Sequence, residues 1–221
     1  MPTKPLVSFL IVTYNQEYFI QDAIEGAFSQ NYSPMEIIIS DDCSTDDTYG
    51  VICNMVSRYK GEHKIYVNRN DSNLGIAGNV NKAMQIANGD IFVLAAGDDQ
   101  SLPYRVHRTC ELFEQYPSIS CINANSIRCD ASLRPLIKPQ ERKGVSIINI
   151  YDYLEFTDFV LWSGDTRAIK RNLYDTFGPL QKGKDEDSSY FVRSVLFGGG
   201  GAAFAGKPIF KTYSREKCVR F

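Results

Sequence analysis

Short, nearly continuous apolar runs alternate along this chain with longer segments whose apolar residues recur every three to four positions. The first kind predicts buried strands over 7–13, 36–40, 64–68, 90–95 and 119–127. The second predicts helices over 17–30, 44–59, 77–88 and 103–116. Ile20, Ala23, Ile24, Ala27 and Phe28 form the inward stripe of the first helix, and Val51, Ile52, Met55 and Val56 that of the second. Val80, Ala83, Met84 and Ala87 do the same in the third. Asn31 to Pro34 reads as a turn, Asn88-Gly89 stops a helix, Pro103 opens the next, and the glycines at 198–201 mark a helix-to-strand turn. Such alternation implies an α/β protein with a mostly parallel central sheet flanked by helices on both faces. Right-handed crossovers then gather the strand C-termini on one rim, where ligands bind at the point of strand-order reversal.

Composition narrows the classes. With 221 residues, 43% of them hydrophobic, the chain can bury one large core. A net charge of −2 lacks the basic face a nucleic-acid binder needs. No run approaches the roughly 18 apolar residues of a membrane span. The run over 6–12 is too short for a signal segment and passes straight into Asn15-Gln16-Glu17, so it reads as the first strand. The six cysteines show no C-x-x-C spacing, which predicts reduced thiols in a cytoplasmic protein.

Three polar clusters follow predicted strands: Thr13-Tyr14-Asn15, Asp41-Asp42 and Asp98-Asp99. On one rim they would share one crevice. An aromatic ring can stack on a base, a carboxylate can accept an N–H from its edge, and an acidic pair can hold a divalent cation against phosphates. More ordinary roles stand beside these. Asp98 can start a turn and Asp99 cap the helix after Pro103; Asp42 or Asp46 can cap the helix that follows them; Tyr14 can be a buried ring. There is neither a G-x-x-x-x-G-K-[ST] phosphate loop nor a G-x-G-x-x-G after the first strand. A nucleotidyltransferase would want a glycine-rich basic loop where this chain has Tyr14-Asn15-Gln16.

The segments PLVSFLIVTYN (5–15), EIIISDDCSTD (36–46), NLGIAGN (73–79) and GDD (97–99) together resemble the ordered signature of family 2 glycosyltransferases with the GT-A fold. WSG (162–164), FGP (177–179) and the acidic pair Glu186-Asp187 resemble the family's more divergent acceptor half. The resemblance implies a single GT-A domain, with a donor half over 1–100 and an acceptor half over 101–221. It implies that Thr13, Tyr14, Asn15 and Asp42 hold the donor's base. Asn73, Gly75 and Gly78 would lie along its ribose and pyrophosphate, with Asp98 on ribose or sugar. Asp99, with Asp98, would bind Mn²⁺ or Mg²⁺ between the phosphates. Gly97 stands where many relatives carry a first acid. Asp187, paired with Glu186, would be the general base of an inverting transfer, where the plainer role is an acidic helix N-terminus; Trp162 and Ser163 would meet the acceptor, where the plainer role of Trp162 is core. Arg215 or Lys217 would replace a family histidine as a phosphate contact. The implied substrates are a nucleotide-sugar, most simply a UDP-sugar, and a glycan or lipid-linked glycan. The basic tail (Arg215, Lys217, Arg220) is a candidate contact for an anionic membrane surface at its cytoplasmic face. The alternative is a degenerate module that binds a nucleotide-sugar without transferring it.

Overall fold

The computed structural model describes residues 4–130, 133–136, 145–148, 167–181, 186–196 and 202–213. The strands are β1 (Val7–Thr13), β2 (Met35–Asp41), β3 (Lys64–Arg69), β4 (Ile91–Ala96), β5 (Asp99–Ser101), β6 (Cys121–Cys129), β7 (Val145–Ile147), β8 (Arg167–Lys170) and β9 (Ala202–Tyr213). The helices are α1 (Ile20–Phe28), α2 (Thr48–Arg58), α3 (Gly75–Ile86), α4 (Arg105–Gln115), α5 (Arg171–Phe177) and α6 (Glu186–Leu196). The strands form one sheet in the order β3-β2-β1-β4-β8-β6-β9-β5, with β7 on β9. The first four strands pair in parallel, β8 is antiparallel to both β4 and β6, and β6 runs parallel to β9.

The period-two alternation of the strands decides which layer each residue joins. Phe9, Ile11, Ile37, Ile39, Val93 and Ala95 face one side and pack with Ile20, Ile24, Ile52, Val106 and Leu112 of α1, α2 and α4. Leu10, Ile38, Phe92 and Leu94 face the other and pack with Val80, Ala83 and Met84 of α3 and Tyr190, Phe191 and Val195 of α6. The long apolar strands are therefore buried on both faces, as a parallel sheet requires.

The expected elements form, with shifted ends. The first helix starts at Ile20 because the Gln16 carbonyl accepts the Phe19 and Ile20 N–H groups, both at 2.9 Å, and holds 16–19 as a turn. The third starts at Gly75, two residues early. Strand β5 has no sequence signal. It is three residues long, polar, and defined by antiparallel pairing with β9, Asp99 opposite Thr212.

Arg105 secures β5. It is 1% exposed, donates to Ser101 Oγ at 2.9 Å and to the Leu94 carbonyl, and lies 5.7 Å over the Phe9 ring. Arg105→Met would strip charged donors from buried acceptors on β4 and β5. Hydrogen bonds to charged groups contribute about 1.5–3 kcal/mol each. The expected outcome in urea unfolding is a loss on the order of 3 kcal/mol; a loss under about 0.5 kcal/mol would show that this guanidinium does not hold the two strands.

Candidate active site

The strand order reverses beside β1. The chain steps from β1 to β2 to β3, then α3 carries it back over the sheet to β4 on the other side of β1. A crevice opens where such a reversal occurs, outside the strands' C-terminal ends. Thr13 lies opposite Asp41, Val12 opposite Ala96, and the Gly97 N–H donates to the Val12 carbonyl at 3.0 Å. The turn at 97–98 thus sits over the end of β1, and Thr13, Tyr14, Asp42, Asp98 and Asp99 come from three adjacent strand ends.

Gly97 is a glycine because its neighbours fill the space. A Cβ there would lie 2.5 Å from Thr13 Oγ1 and 2.4 Å from Gln16 Oε1. Those two groups hydrogen-bond at 2.7 Å, the threonine hydroxyl donating. Asp98 is half-buried in the turn, and Asp99 is 2% exposed at the start of β5. Asp99 is not the cap of the following helix, which has Tyr104 at its N-cap and no side-chain cap bond. Tyr14 is 43% exposed, so it is not a ring buried beneath α1.

Adjacent Asp41 and Asp42 go separate ways. Asp41 is fully buried, accepts from Ser44 N–H (3.0 Å) and its hydroxyl, and pairs with Arg69 at 3.4 Å. Asp42 reaches the start of α3: Oδ1 accepts the Leu74 N–H at 2.8 Å and Oδ2 the Gly75 N–H at 2.9 Å. Its Oδ1 also accepts from Asn70 Nδ2 at 2.8 Å. It caps the third helix and not the second, whose first N–H, from Thr48, is taken by Asp46 at 3.0 Å. Asn79, inside α3 and 3% exposed, completes a buried network. It accepts from Ser40 Oγ (2.6 Å) and Asn70 (3.1 Å) and donates to the carbonyls of Ser40 (3.0 Å) and Thr13 (3.4 Å).

The remaining expected residues divide. Asn15, at φ 52°, turns its Oδ1 to Thr45 N–H at 2.8 Å and so ties the loops after β1 and β2 together. Asn73 Oδ1 accepts the Gly75 N–H at 3.0 Å. Gly75 has φ 77° and open space at its Cβ position, so its freedom serves the left-handed turn that aims two amides at Asp42. Gly78 is packed instead: a Cβ would meet Leu74 Cβ at 2.5 Å. Glu186 and Asp187 open α6, and nothing of their side chains is described. Trp162, Ser163 and Arg215 lie outside the described residues. Gln16, Asn70 and Asn79 were not anticipated. Asn79 had a signal, since it is an amide within the inward stripe of Ala77, Val80 and Ala83.

A separate cavity of about 660 Å³ lies at the opposite ends of β1 and β4, lined by Lys4, Tyr32, Asp90, His107, Lys170 and Arg171 among others. Two of its cations are engaged: Lys170 with the Pro117 carbonyl at 2.6 Å and Arg171 with the Ala87 carbonyl at 3.0 Å.

The sequence profile described as "Glycosyl transferase family 2" matches residues 8–178. The chain belongs to that family. It is 28% identical over 205 residues to UDP-Glc:alpha-D-GlcNAc-diphosphoundecaprenol beta-1,3-glucosyltransferase WfaP of Escherichia coli, covering 80% of this chain and 78% of WfaP. The structure of S. aureus TarS 1-349 with UDP-GlcNAc superposes with a TM-score of 0.73 at 17% identity, over 97% of this chain and 61% of that one. Mannosyltransferase PcManGT from Pyrobaculum calidifontis, with GDP-Man and Mn²⁺, gives 0.72 at 17% identity, over 96% and 57%. These likenesses establish the GT-A fold. The chain spans 41% and 35% of the length of two other curated relatives, well under two thirds. No helix among the described residues of this family 2 chain is long and apolar enough to cross a membrane.

The loop after β2 makes the site's floor sensitive to acid. Burial works to raise the Asp46 carboxyl, but the Thr48 hydroxyl and the N–H groups of Glu17 and Thr48 outweigh it and hold it below its ordinary value. The folded state therefore binds this proton less readily than the unfolded chain. The stability it contributes is complete above the ordinary carboxylate value of about 4 and is lost as pH falls through the lowered folded value. Asp46→Asn should accordingly melt earlier than wild type at pH ~7, with the gap narrowing as pH falls below about 4. A gap in melting temperature that stays constant with pH would contradict this assignment.

Proposed function

We propose that this chain is the donor-binding and transfer domain of a metal-dependent, inverting glycosyltransferase. It would move a sugar from a nucleotide-sugar, most simply a UDP-sugar, to a glycan carried on a lipid diphosphate. The observation that supports this best is the convergence of Tyr14, Asp42 and Asp98-Asp99 on the crevice beside β1. WfaP, by its name, uses UDP-Glc and a diphosphoundecaprenol-linked acceptor; the TarS structure holds UDP-GlcNAc.

The described residues fit a divalent cation of the substrate-bridging kind. No group of three or more His, Cys, Asp or Glu among them could hold a metal by itself. Mg²⁺-type sites commonly use one or two carboxylates, with phosphates and water completing the shell. Asp99, assisted by Asp98, would be the protein's contribution, and hard oxygen donors suit Mn²⁺ or Mg²⁺. When bound, the ion would supply charge stabilisation for the departing nucleoside diphosphate. The chain's own residues do the rest. Tyr14 offers an exposed ring for stacking the base. Asp42, fixed by Asn70 and the Leu74 and Gly75 amides at the start of α3, retains acceptor capacity for a base-edge N–H, because a carboxylate has about four lone-pair sites.

The acceptor hydroxyl needs a base as attack proceeds. Asp187, beside Glu186, has that role in this proposal, supported by its place in the first turn of α6, the helix that precedes β9. A base opposite the leaving group gives single displacement with inversion, the logic that separates the two classes of glycoside hydrolysis. Trp162 and Ser163 would meet the acceptor. Arg215 follows two residues after β9, which ends beside Asp99, and would contact the diphosphate. An anionic membrane surface at the basic tail would present the lipid-linked substrate.

Transfer or donor hydrolysis measured across UDP-sugars with Mn²⁺ tests the proposal. Asp187→Asn should lower kcat by about 10²–10⁴-fold while UDP still binds. Asp99→Ala should abolish the metal dependence of UDP binding. Near-normal turnover by the first variant would remove Asp187 from the base role. Nucleotide binding by wild type without turnover of any sugar or acceptor would favour the degenerate module.

A further inference from the structure

The contact between Thr13, Gln16 and Gly97 supports one more step. The Gln16 backbone is fixed at both ends: its N–H donates to Thr48 Oγ1 at 2.8 Å, and its carbonyl starts the turn into α1. The side chain is fixed too. Its Oε1 accepts the Thr13 hydroxyl at 2.7 Å and stands 2.4 Å from the place a Cβ on residue 97 would take. The amide therefore occupies the volume of the absent side chain, directly before Asp98-Asp99. A planar amide with its oxygen held has its nitrogen direction set as well. That nitrogen carries two donors, and neither has a hydrogen-bond partner among the described residues. Gln16 is half-buried.

We infer that Gln16 Nε2 is a donor-substrate contact, giving a hydrogen bond to an oxygen of the bound nucleotide beside Asp98. This rests on the nucleotide-sugar reading above. An acid at position 97 would put a further negative charge near a diphosphate. Here a neutral amide fills the same space and offers donors in its place. Nucleotide oxygens that can accept are phosphate oxygens and ribose hydroxyls, and the probes below separate them.

Binding of UDP, UMP and uridine in Mn²⁺ is measured calorimetrically for wild type, Gln16→Glu, Gln16→Met and Gly97→Ala. Gln16→Glu keeps the oxygen that Thr13 bonds and replaces the donor nitrogen. Gln16→Met removes both polar atoms without adding charge. Gly97→Ala leaves the amide chemically intact but drives a Cβ into Thr13 as well as Gln16, so it perturbs their shared contact and not the amide alone. All three should weaken UDP by roughly 10- to 100-fold, the scale of a hydrogen bond to a charged or strongly polar acceptor. A loss confined to UDP and UMP assigns the bond to phosphate; a loss that persists with uridine assigns it to ribose. UDP affinities within twofold of wild type in both Gln16 variants overturn the inference. So does a loss in Gln16→Glu alone, which would report added charge and not a lost donor. If wild type binds no UDP while remaining folded, the nucleotide-sugar reading itself fails, a result distinct from normal wild-type binding with silent variants.

Discussion

No side chain fits at position 97 without displacing Thr13 and Gln16. That constraint lets the turn after β4 close onto the end of β1, with the Gly97 N–H on the Val12 carbonyl at 3.0 Å. From this closure the chain runs directly into Asp98 and Asp99, and β5 then leaves the rim to pair with β9. Arg105 anchors the new strand to β4 from beneath. The acidic pair is thus delivered beside Thr13 and Tyr14 by backbone geometry. A bulkier residue at 97 would have to move the Gln16 amide and the Thr13 side chain.

The other wall of the crevice depends on a buried polar network. Ser40, Asn70 and Asn79 are buried where an apolar core would cost less, because unsatisfied amides inside a protein are expensive. Here they are satisfied by one another, by the Ser40 and Thr13 carbonyls and by Asp42. The result is a carboxylate with one fixed orientation at a sheet rim. Asn15 at φ 52° and Cys43 at φ 62° bend the two neighbouring loops toward each other. Left-handed backbone at a cysteine costs on the order of 1–2 kcal/mol, which the ordered hydrogen bonds around it must offset. Rigidity at this rim favours a ligand whose base and phosphates must be held at a set separation.

Much of this was legible in the sequence, and the reason is physical. β1, β2 and β4 are buried on both faces, so their apolar runs and the polar residues at their ends announce both strand and rim. α1, α2 and α3 show their stripes because each packs one face on the sheet. β5 was illegible since Asp99, Gln100 and Ser101 become a strand only by pairing with residues more than a hundred positions away. The direction of Asp42 was illegible for the same reason. Its partners, Asn70, Leu74 and Gly75, lie about thirty residues on, and a local rule assigns such a carboxylate to the nearer helix. The four GT-A segments, taken in order, pointed to the family more strongly than any one of their residues.

The central claim is that a nucleotide diphosphate and a divalent cation meet at the strand reversal beside β1. Paramagnetic Mn²⁺ reports this directly, because it broadens backbone amide signals near it in ¹H–¹⁵N spectra. With UDP present, broadening should centre on residues 97–99 and 13–16 and fall away toward β3 and the far end of α4. Without UDP it should be weak. Broadening centred instead on Lys4, His107 and Lys170, at the cavity on the opposite end of the sheet, or broadening indifferent to UDP, would contradict the account.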